Sequence, residues 1–143
     1  MRKRKSAQRG ATLIEFALVT LLLMIILFAG IEFNRMVLVY TALANSARVG
    51  VRYAIVHGSD RTTTAGSDPA SSQSDPTAVV TKVKQFASVG MLDTSALRVD
   101  VVYPVDNKPG SLVKVKVTYP YDPWVVLPLH VNLTSATQGI IVF

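Results

Sequence analysis

The chain has 143 residues, of which half are hydrophobic, and it contains no cysteine. The absence of cysteine excludes disulfides, thiolate metal sites and a cysteine nucleophile. The length fits one domain plus an appendage, and so high an apolar fraction favours a chain with a membrane segment over an ordinary soluble domain.

The net charge of +6 is concentrated at the N-terminus, where five of the fifteen basic side chains precede residue 11. These five are Arg2, Lys3, Arg4, Lys5 and Arg9. The rest of the chain holds ten basic and nine acidic side chains and is nearly neutral. A nucleic-acid-binding domain needs basic residues along a folded face. A short basic tail beside an apolar run instead indicates membrane topology, with the N-terminus in the cytoplasm and residues 33–143 outside.

The apolar run covers residues 11–31, ATLIEFALVTLLLMIILFAGI, and Glu15 is its only charged residue. At 1.5 Å per residue these residues form a helix of about 31 Å, enough to cross a hydrocarbon core of roughly 30 Å. The uncharged part, residues 16–31, reaches only about 24 Å. Glu15 is therefore expected near the inner interface, or matched by a partner inside the membrane.

Helical periodicity continues beyond the membrane segment and predicts one helix over 11–57, with a lipid-embedded half and an amphipathic half. The apolar stripe of the outer half consists of Met36, Val39, Tyr40, Leu43, Ala44, Ala47 and Val51. Glu32 and Arg35, three residues apart, form a predicted helix pair at the membrane interface. Arg48 and Arg52 share one helix face. Whether they pair with acidic groups or face water is left open.

Residues 58–77 are rich in Gly, Ser, Thr, Asp and Pro, which predicts a flexible loop. A second, short helix follows, with Asp75 as N-cap, Pro76 at the first helical position and Gly90 at the C-terminal cap. Its apolar face consists of Val79, Val80, Val83, Phe86 and Ala87.

The last third predicts strands. Apolar and polar residues alternate over 98–103 and 113–119, and a Pro/Asn/Gly-containing turn between them indicates an antiparallel hairpin. Residues 119–130 contain Pro120, Pro123 and Pro128, which predicts an irregular crossover, and a final strand runs through 130–134 or 139–143. The predicted fold is α+β: a long N-terminal helix with a small extracytoplasmic domain over 78–143, built from the short helix and a small antiparallel sheet.

The junction between the basic leader (1–10) and the apolar helix has three interpretations. A secretory signal peptide has a shorter apolar core followed by a small-x-small cleavage site, which is missing here. An uncleaved membrane anchor explains the basic flank and the length but gives no reason for Glu15, since a carboxylate in lipid costs a few kcal/mol. A prepilin-type leader, cut after Gly10 on the cytoplasmic side, accounts for the glycine, the charge and the intact helix together.

Residues 10–53 resemble the TadE-like family of pseudopilins from tight-adherence (Flp) pilus systems. The matching elements are Gly10 followed by Glu15-Phe16, the Leu/Ile-rich span, the polar exit GIEFNR and an Ala/Asn-rich helix ending in SARVGVRYA. Ordinary type IV prepilins share the glycine and glutamate but more often have Phe directly after the glycine, where this chain has Ala11. The strand-rich remainder fits the family architecture, although its motifs are not specific.

The resemblance implies a minor pilin or pseudopilin that an aspartyl prepilin peptidase cleaves between Gly10 and Ala11. The product would assist pilus assembly from the bacterial inner membrane, with other pilins and the assembly platform as partners. Cleavage exposes the Ala11 ammonium, and pairing it with Glu15 of a neighbouring subunit offsets the penalty of both charges in lipid. Glu15 and Phe16 are thus the expected registration element.

The remaining candidates favour ordinary structural roles. His57 and His130 lack acidic companions at metal-ligand spacing and are interpreted as loop or edge residues. Trp124 is interpreted as an aromatic core anchor rather than an adhesive surface. No nucleophile motif or phosphate-binding glycine loop is present, so an enzyme, a cofactor or a small-molecule substrate is not expected. The main alternative is an uncleaved, membrane-anchored extracytoplasmic binding domain.

Overall fold

The computed structural model describes residues 3–59, 71–90, 92–123 and 130–142, with two helices and three strands. Helix α1 runs from Lys3 to Val56, and helix α2 from Thr77 to Val89. Strands β1 (Arg98–Val102), β2 (Leu112–Tyr121) and β3 (Val131–Ile140) follow. The α+β prediction is confirmed.

Helix α1 is continuous for 54 residues and begins eight residues before the predicted start at Ala11. The segment KRKSAQRG contains no proline, and Lys, Arg, Ala and Gln are good helix formers, so nothing in it stops the helix. Residues 3–10 of the predicted leader and the apolar run therefore form one uninterrupted helix.

The sheet has the order β1-β2-β3, and both strand pairs are antiparallel. Val101 lies opposite Val115, which lies opposite Thr137, so these three side chains point to one face of the sheet. Helices α1 and α2 pack against this inner face. The core contains Leu43, Ala47, Val51 and Ala54 from α1, Val79, Val83 and Ala87 from α2, and Val113, Val115 and Val117 from β2.

Two glycines allow α1 to approach its neighbours closely. A Cβ on Gly50 would lie 2.5 Å from Val83 Cγ2 of α2 and 3.3 Å from Val115 Cγ1 of β2. A Cβ on Gly139 of β3 would lie 2.5 Å from Ile55 Cδ1 and 2.9 Å from Val51 Cγ1. The distances of 2.5 Å and 2.9 Å are shorter than packed carbon atoms adopt, so the close packing of α1 against α2 and β3 depends on the absence of a side chain at each glycine.

The strands run nearly along the axis of α1. Tyr121 and its partner Val131 lie beside Glu32, whereas Gly139 lies beside Ile55. The 24 helical residues from 32 to 55 rise about 35 Å, close to the length of a ten-residue strand at about 3.3 Å per residue. Strand β3 therefore runs in the same direction as α1, away from the apolar half of the helix, and β2 runs towards it.

Several local predictions are corrected. The N-cap of α2 is Pro76 and not Asp75, although the Asp75 carboxylate still accepts a hydrogen bond of 3.2 Å from the backbone N–H of Thr77. Residues 120 and 121, predicted as part of a crossover, belong to β2, which extends two residues beyond the predicted strand end at Tyr119. Strand β3 covers the interval between the two predicted alternatives as well as parts of both. Tyr40 and Phe86, predicted on apolar faces, are 50% and 40% exposed.

Candidate functional site

The predicted processing and registration residues lie on an exposed stretch of α1. Gly10, Ala11, Glu15 and Phe16 are all exposed, and Phe16 leaves 70% of its surface accessible. Ala11 and Glu15 are four residues apart and therefore share one helix face, separated by a rise of about 6 Å. A Cβ on Gly10 would meet nothing within 4 Å, so no packing constraint accounts for the glycine.

Four of the five basic topology residues belong to the N-terminal part of helix α1. Arg2 lies outside the described residues. Lys3, Arg4, Lys5 and Arg9 belong to α1, and their backbone is helical.

One described helix, Gly10–Val56, is long and apolar enough to cross a membrane, with a mean hydropathy of 2.6 over its most apolar window. That window is not buried by any part of the described chain. Leu13, Leu22 and Ile26 are each at least 59% exposed. Apolar side chains of this size are rarely left in water along a whole helix, so this surface is consistent with a membrane anchor.

The outer end of the apolar run is joined to the sheet by three side chains. Glu32 and Arg35 form the predicted pair, with Arg35 Nη1 3.2 Å from Glu32 Oε1. The Tyr121 hydroxyl, at the end of β2, donates a hydrogen bond of 2.5 Å to the same carboxylate oxygen. The Arg35 guanidinium lies 5.0 Å from the centroid of the Tyr121 ring. We refer to Glu32, Arg35 and Tyr121 as the exit cluster.

Tyr121 is 2% exposed, and its environment disfavours the phenolate. Burial, together with the hydrogen bond to Glu32, raises the pKa of Tyr121 to about 12, against a smaller opposing effect of the Arg35 charge. The sequence indicated the Glu32–Arg35 spacing but gave no signal for Tyr121, whose hydroxyl reaches Glu32 across 89 positions.

The two histidines are far apart and differ in environment. His57, directly after α1, is buried, and its ring stacks on Tyr53 with a centroid distance of 3.7 Å. Its Nδ1 lies 2.8 Å from the Tyr53 carbonyl oxygen. His130 is exposed, and its Nδ1 lies 2.5 Å from Asp122 Oδ1. Among the described residues no group of three or more His, Cys, Asp or Glu side chains is placed to hold a metal ion.

Arg48 and Arg52 are both exposed on the outer face of α1 and line an open groove of about 560 Å³. Phe86 of α2 and Thr137 of β3 lie at its borders. Within the described part of the chain, no ion pair joins either guanidinium to a carboxylate. Of the two alternatives left open by the sequence, the structure therefore places both arginines towards water. Trp124 lies outside the described residues.

The comparison with protein families gives one match, to TadE-like protein, over residues 10–52. Neither a curated protein nor a solved structure matches the chain. The matched segment is under a third of the chain. It covers the apolar half of α1, the exit residues Glu32 and Arg35, and most of the packed outer half. The resemblance predicted for residues 10–53 is confirmed: residues 10–52 are similar to TadE-like proteins, which supports a protein associated with tight-adherence pili.

Proposed function

We propose that this chain is a minor pilin or pseudopilin, a non-enzymatic structural subunit that assists assembly of a tight-adherence pilus. A prepilin peptidase would cleave it between Gly10 and Ala11 at the cytoplasmic face of the bacterial inner membrane. The mature chain would remain a single-pass protein with residues 33–143 outside, in contact with other pilins and the assembly platform.

The observation that carries this proposal is the position of Glu15. It is the only charged residue of the apolar run, lies on the same helix face as Ala11 and is exposed. A carboxylate there disfavours a plain anchor by a few kcal/mol. After cleavage, the same carboxylate gives the Ala11 ammonium of a neighbouring helix a partner, which offsets the desolvation of both charges when they are hydrogen-bonded.

The continuity of α1 supports the same role. No described part of the chain covers the apolar half, which can therefore pack against other helices, while the outer half is fixed to α2 and the sheet. Registration of one helix against its neighbour would therefore also set the height of the attached domain. A flexible connection between anchor and domain, as in many tethered binding proteins, would not transmit that register.

The test is Glu15→Leu in a native host. We expect membrane insertion and leader cleavage to persist, because a leucine crosses lipid more easily than a carboxylate. Surface pilus yield and crosslinking from cysteines placed at Tyr40 or Ala44 should fall sharply, and Glu15→Asp should give intermediate values because it keeps the charge on a shorter side chain.

Thr20→Leu is the matched control, since it removes a polar group from the same segment without removing a charge. Full piliation and unchanged crosslinks in Glu15→Leu would contradict the registration role. The uncleaved anchor carrying a binding domain would then be the better account.

A further inference from the structure

Within the described residues, strand β3 is a sheet edge without the usual protection against pairing. Its ten residues, VNLTSATQGI, include no charged residue and no proline. Proteins normally protect edge strands with lysine, proline, a short length or a covering element. The opposite edge, β1, follows this rule: it has five residues, carries Arg98 and Asp100, and lies next to α2.

Only one side of β3 is paired in the described part of the chain, and its partner there is β2. The inner face is also incompletely covered. Val115 of β2 is fully buried, whereas Thr137, directly opposite it, is half-buried, as are Ser135 and Leu133. Helix α1 thus covers the inner face of β2 fully at Val115 but that of β3 only in part. A further strand beside β3 would complete the burial of Leu133, Ser135 and Thr137.

The groove lined by Arg48 and Arg52, which we call the basic groove, adjoins the half-buried row of β3 side chains. Thr137 belongs to the inner face of β3 and lines the groove together with Arg48 and Arg52. A strand added outside β3 would direct alternate side chains towards the same groove. A carboxylate on the added strand at the position paired with Thr137 would point to the inner face of the sheet, where the guanidinium groups of Arg48 and Arg52 line the groove.

A second copy of this chain does not fit that position. The two edge strands of any copy, β1 and β3, run in the same direction, because each is antiparallel to β2. This direction is that of α1, away from the membrane, and all copies share one membrane orientation. A second copy therefore offers only parallel pairing, which is slightly less stable per residue than antiparallel pairing. Neither edge has a carboxylate on its inner face, since Val99 and Val101 of β1 and Leu133, Ser135 and Thr137 of β3 occupy those positions.

We propose that β3 is a strand-addition site for an extended, acidic segment of a different polypeptide, which pairs antiparallel to β3 and places a carboxylate beside Arg48 and Arg52. The exclusion of a second copy relies on the membrane insertion given under the proposed function. Pairing itself does not depend on leader cleavage or on fibre formation. The contacts are backbone hydrogen bonds along β3, side chains over the half-buried row, and one charge pair in the groove.

The test uses the full chain in detergent micelles and a designed peptide, acetyl-TVTVEVTVT-amide, as the probe. We expect the peptide to slow amide hydrogen exchange across residues 131–140. The peptide with lysine in place of glutamate should bind about two- to fivefold more weakly, within the range expected for a solvent-accessible charge pair. A version with alternate backbone nitrogens methylated should give no protection, because it cannot complete the ladder.

Arg48→Ala/Arg52→Ala should remove the preference for glutamate over lysine. The matched control is Lys114→Ala/Lys116→Ala, which removes two charges from the opposite face of the sheet and should keep the preference. No protection of β3, protection that survives backbone methylation, or equal binding of the two peptides would overturn the proposal. Protection of β3 that grows with protein concentration without peptide would overturn it in favour of a second copy. Pilus formation enters none of these measurements, so failure here leaves the pilin proposal standing.

Discussion

The Tyr121 hydroxyl donates its hydrogen bond to Oε1 of Glu32 over 2.5 Å and joins the end of β2 to the helix at the outer end of its apolar run. Arg35 contacts both residues, through the ion pair with Glu32 and through its position over the Tyr121 ring. The exit cluster therefore fixes the membrane-proximal end of the sheet to α1. Without it, core packing would hold the sheet mainly at the level of Leu43 and beyond.

Replacing Tyr121 by phenylalanine should lower the free energy of unfolding by about 1.5–3 kcal/mol, the range for a hydrogen bond to a charged partner. The ring and its packing remain, so the loss of unfolding free energy measures the contribution of the hydroxyl group and its hydrogen bond. The measurement is denaturant unfolding in detergent micelles, followed by the single tryptophan. Tyr119→Phe is the control, because Tyr119 is half-buried and its hydroxyl makes no hydrogen bond within the described residues. Equal losses in the two variants would contradict the assignment.

The same hydroxyl predicts a stability loss at alkaline pH. The pKa of Tyr121 is about 12 in the folded chain, above the ordinary tyrosine value of about 10. The folded state thus holds this proton more tightly than the unfolded state. Its stabilisation is complete below about pH 10 and is lost as the pH rises from 10 towards 12. The difference in unfolding free energy between wild type and Tyr121→Phe should shrink across this window, and a difference that grows would be inconsistent with the burial of the phenol.

Gly50→Ala should destabilise the chain by about 1–3 kcal/mol, because the added methyl would lie 2.5 Å from Val83 and the core must shift to accept it. Gly30→Ala is the matched control within the same helix, since its methyl meets nothing within 4 Å. Alanine is a better helix former than glycine by up to about 1 kcal/mol, so this variant should be as stable as wild type or slightly more stable. Thermal unfolding by circular dichroism gives both values. Similar losses for both glycines would rule out the close approach at Gly50.

Cleavage between Gly10 and Ala11 should yield a mature chain that starts at Ala11, as measured by mass spectrometry of protein from a native host. Gly10→Arg should block the cut by enlarging the residue at the scissile bond. A Cβ at position 10 would meet nothing within 4 Å, so the substitution adds no clash at the helix surface, and a loss of cleavage would reflect recognition by the peptidase. Glycine also weakens the helix at this point by up to about 1 kcal/mol relative to alanine, which eases local unwinding in a peptidase. A mature N-terminus at Met1, or beyond Ala29, would contradict the pseudopilin proposal.

The elements that the sequence predicted well are those governed by local periodicity. The long run of apolar residues and the three-and-four spacing of Leu43, Ala47 and Val51 identified α1, and strict alternation over 113–117 identified β2. In the outer half of α1 and in β2 one face is buried, so there the pattern of the sequence matches the pattern of burial.

The elements that were missed are those in which tertiary context overrides the local signal. Pro120 predicts a break in the strand, but it lies within β2. The pairing of β1 with β2 ends at Thr118. Beyond that residue β2 has β3 as its only described neighbour, and a proline without N–H is tolerated on the side that has no partner. The central part of β3, TSATQ, is polar because its inner face is only half-covered, so no hydrophobic alternation marked it. The Glu32–Tyr121 contact joins residues 89 apart and has no local signature.

The alignment of the strands with α1 also has a mechanical consequence. At the distal end the N–H of Val142 donates a hydrogen bond of 2.9 Å to the Ile55 carbonyl, and at the proximal end Tyr121 is bonded to Glu32. The sheet is therefore fastened to the helix at both ends, with its strands parallel to the helix axis. Tension along that axis, as a retracting or flow-stretched filament would apply, loads the ladders between strands in shear. In that geometry the hydrogen bonds of a ladder resist together instead of opening one after another.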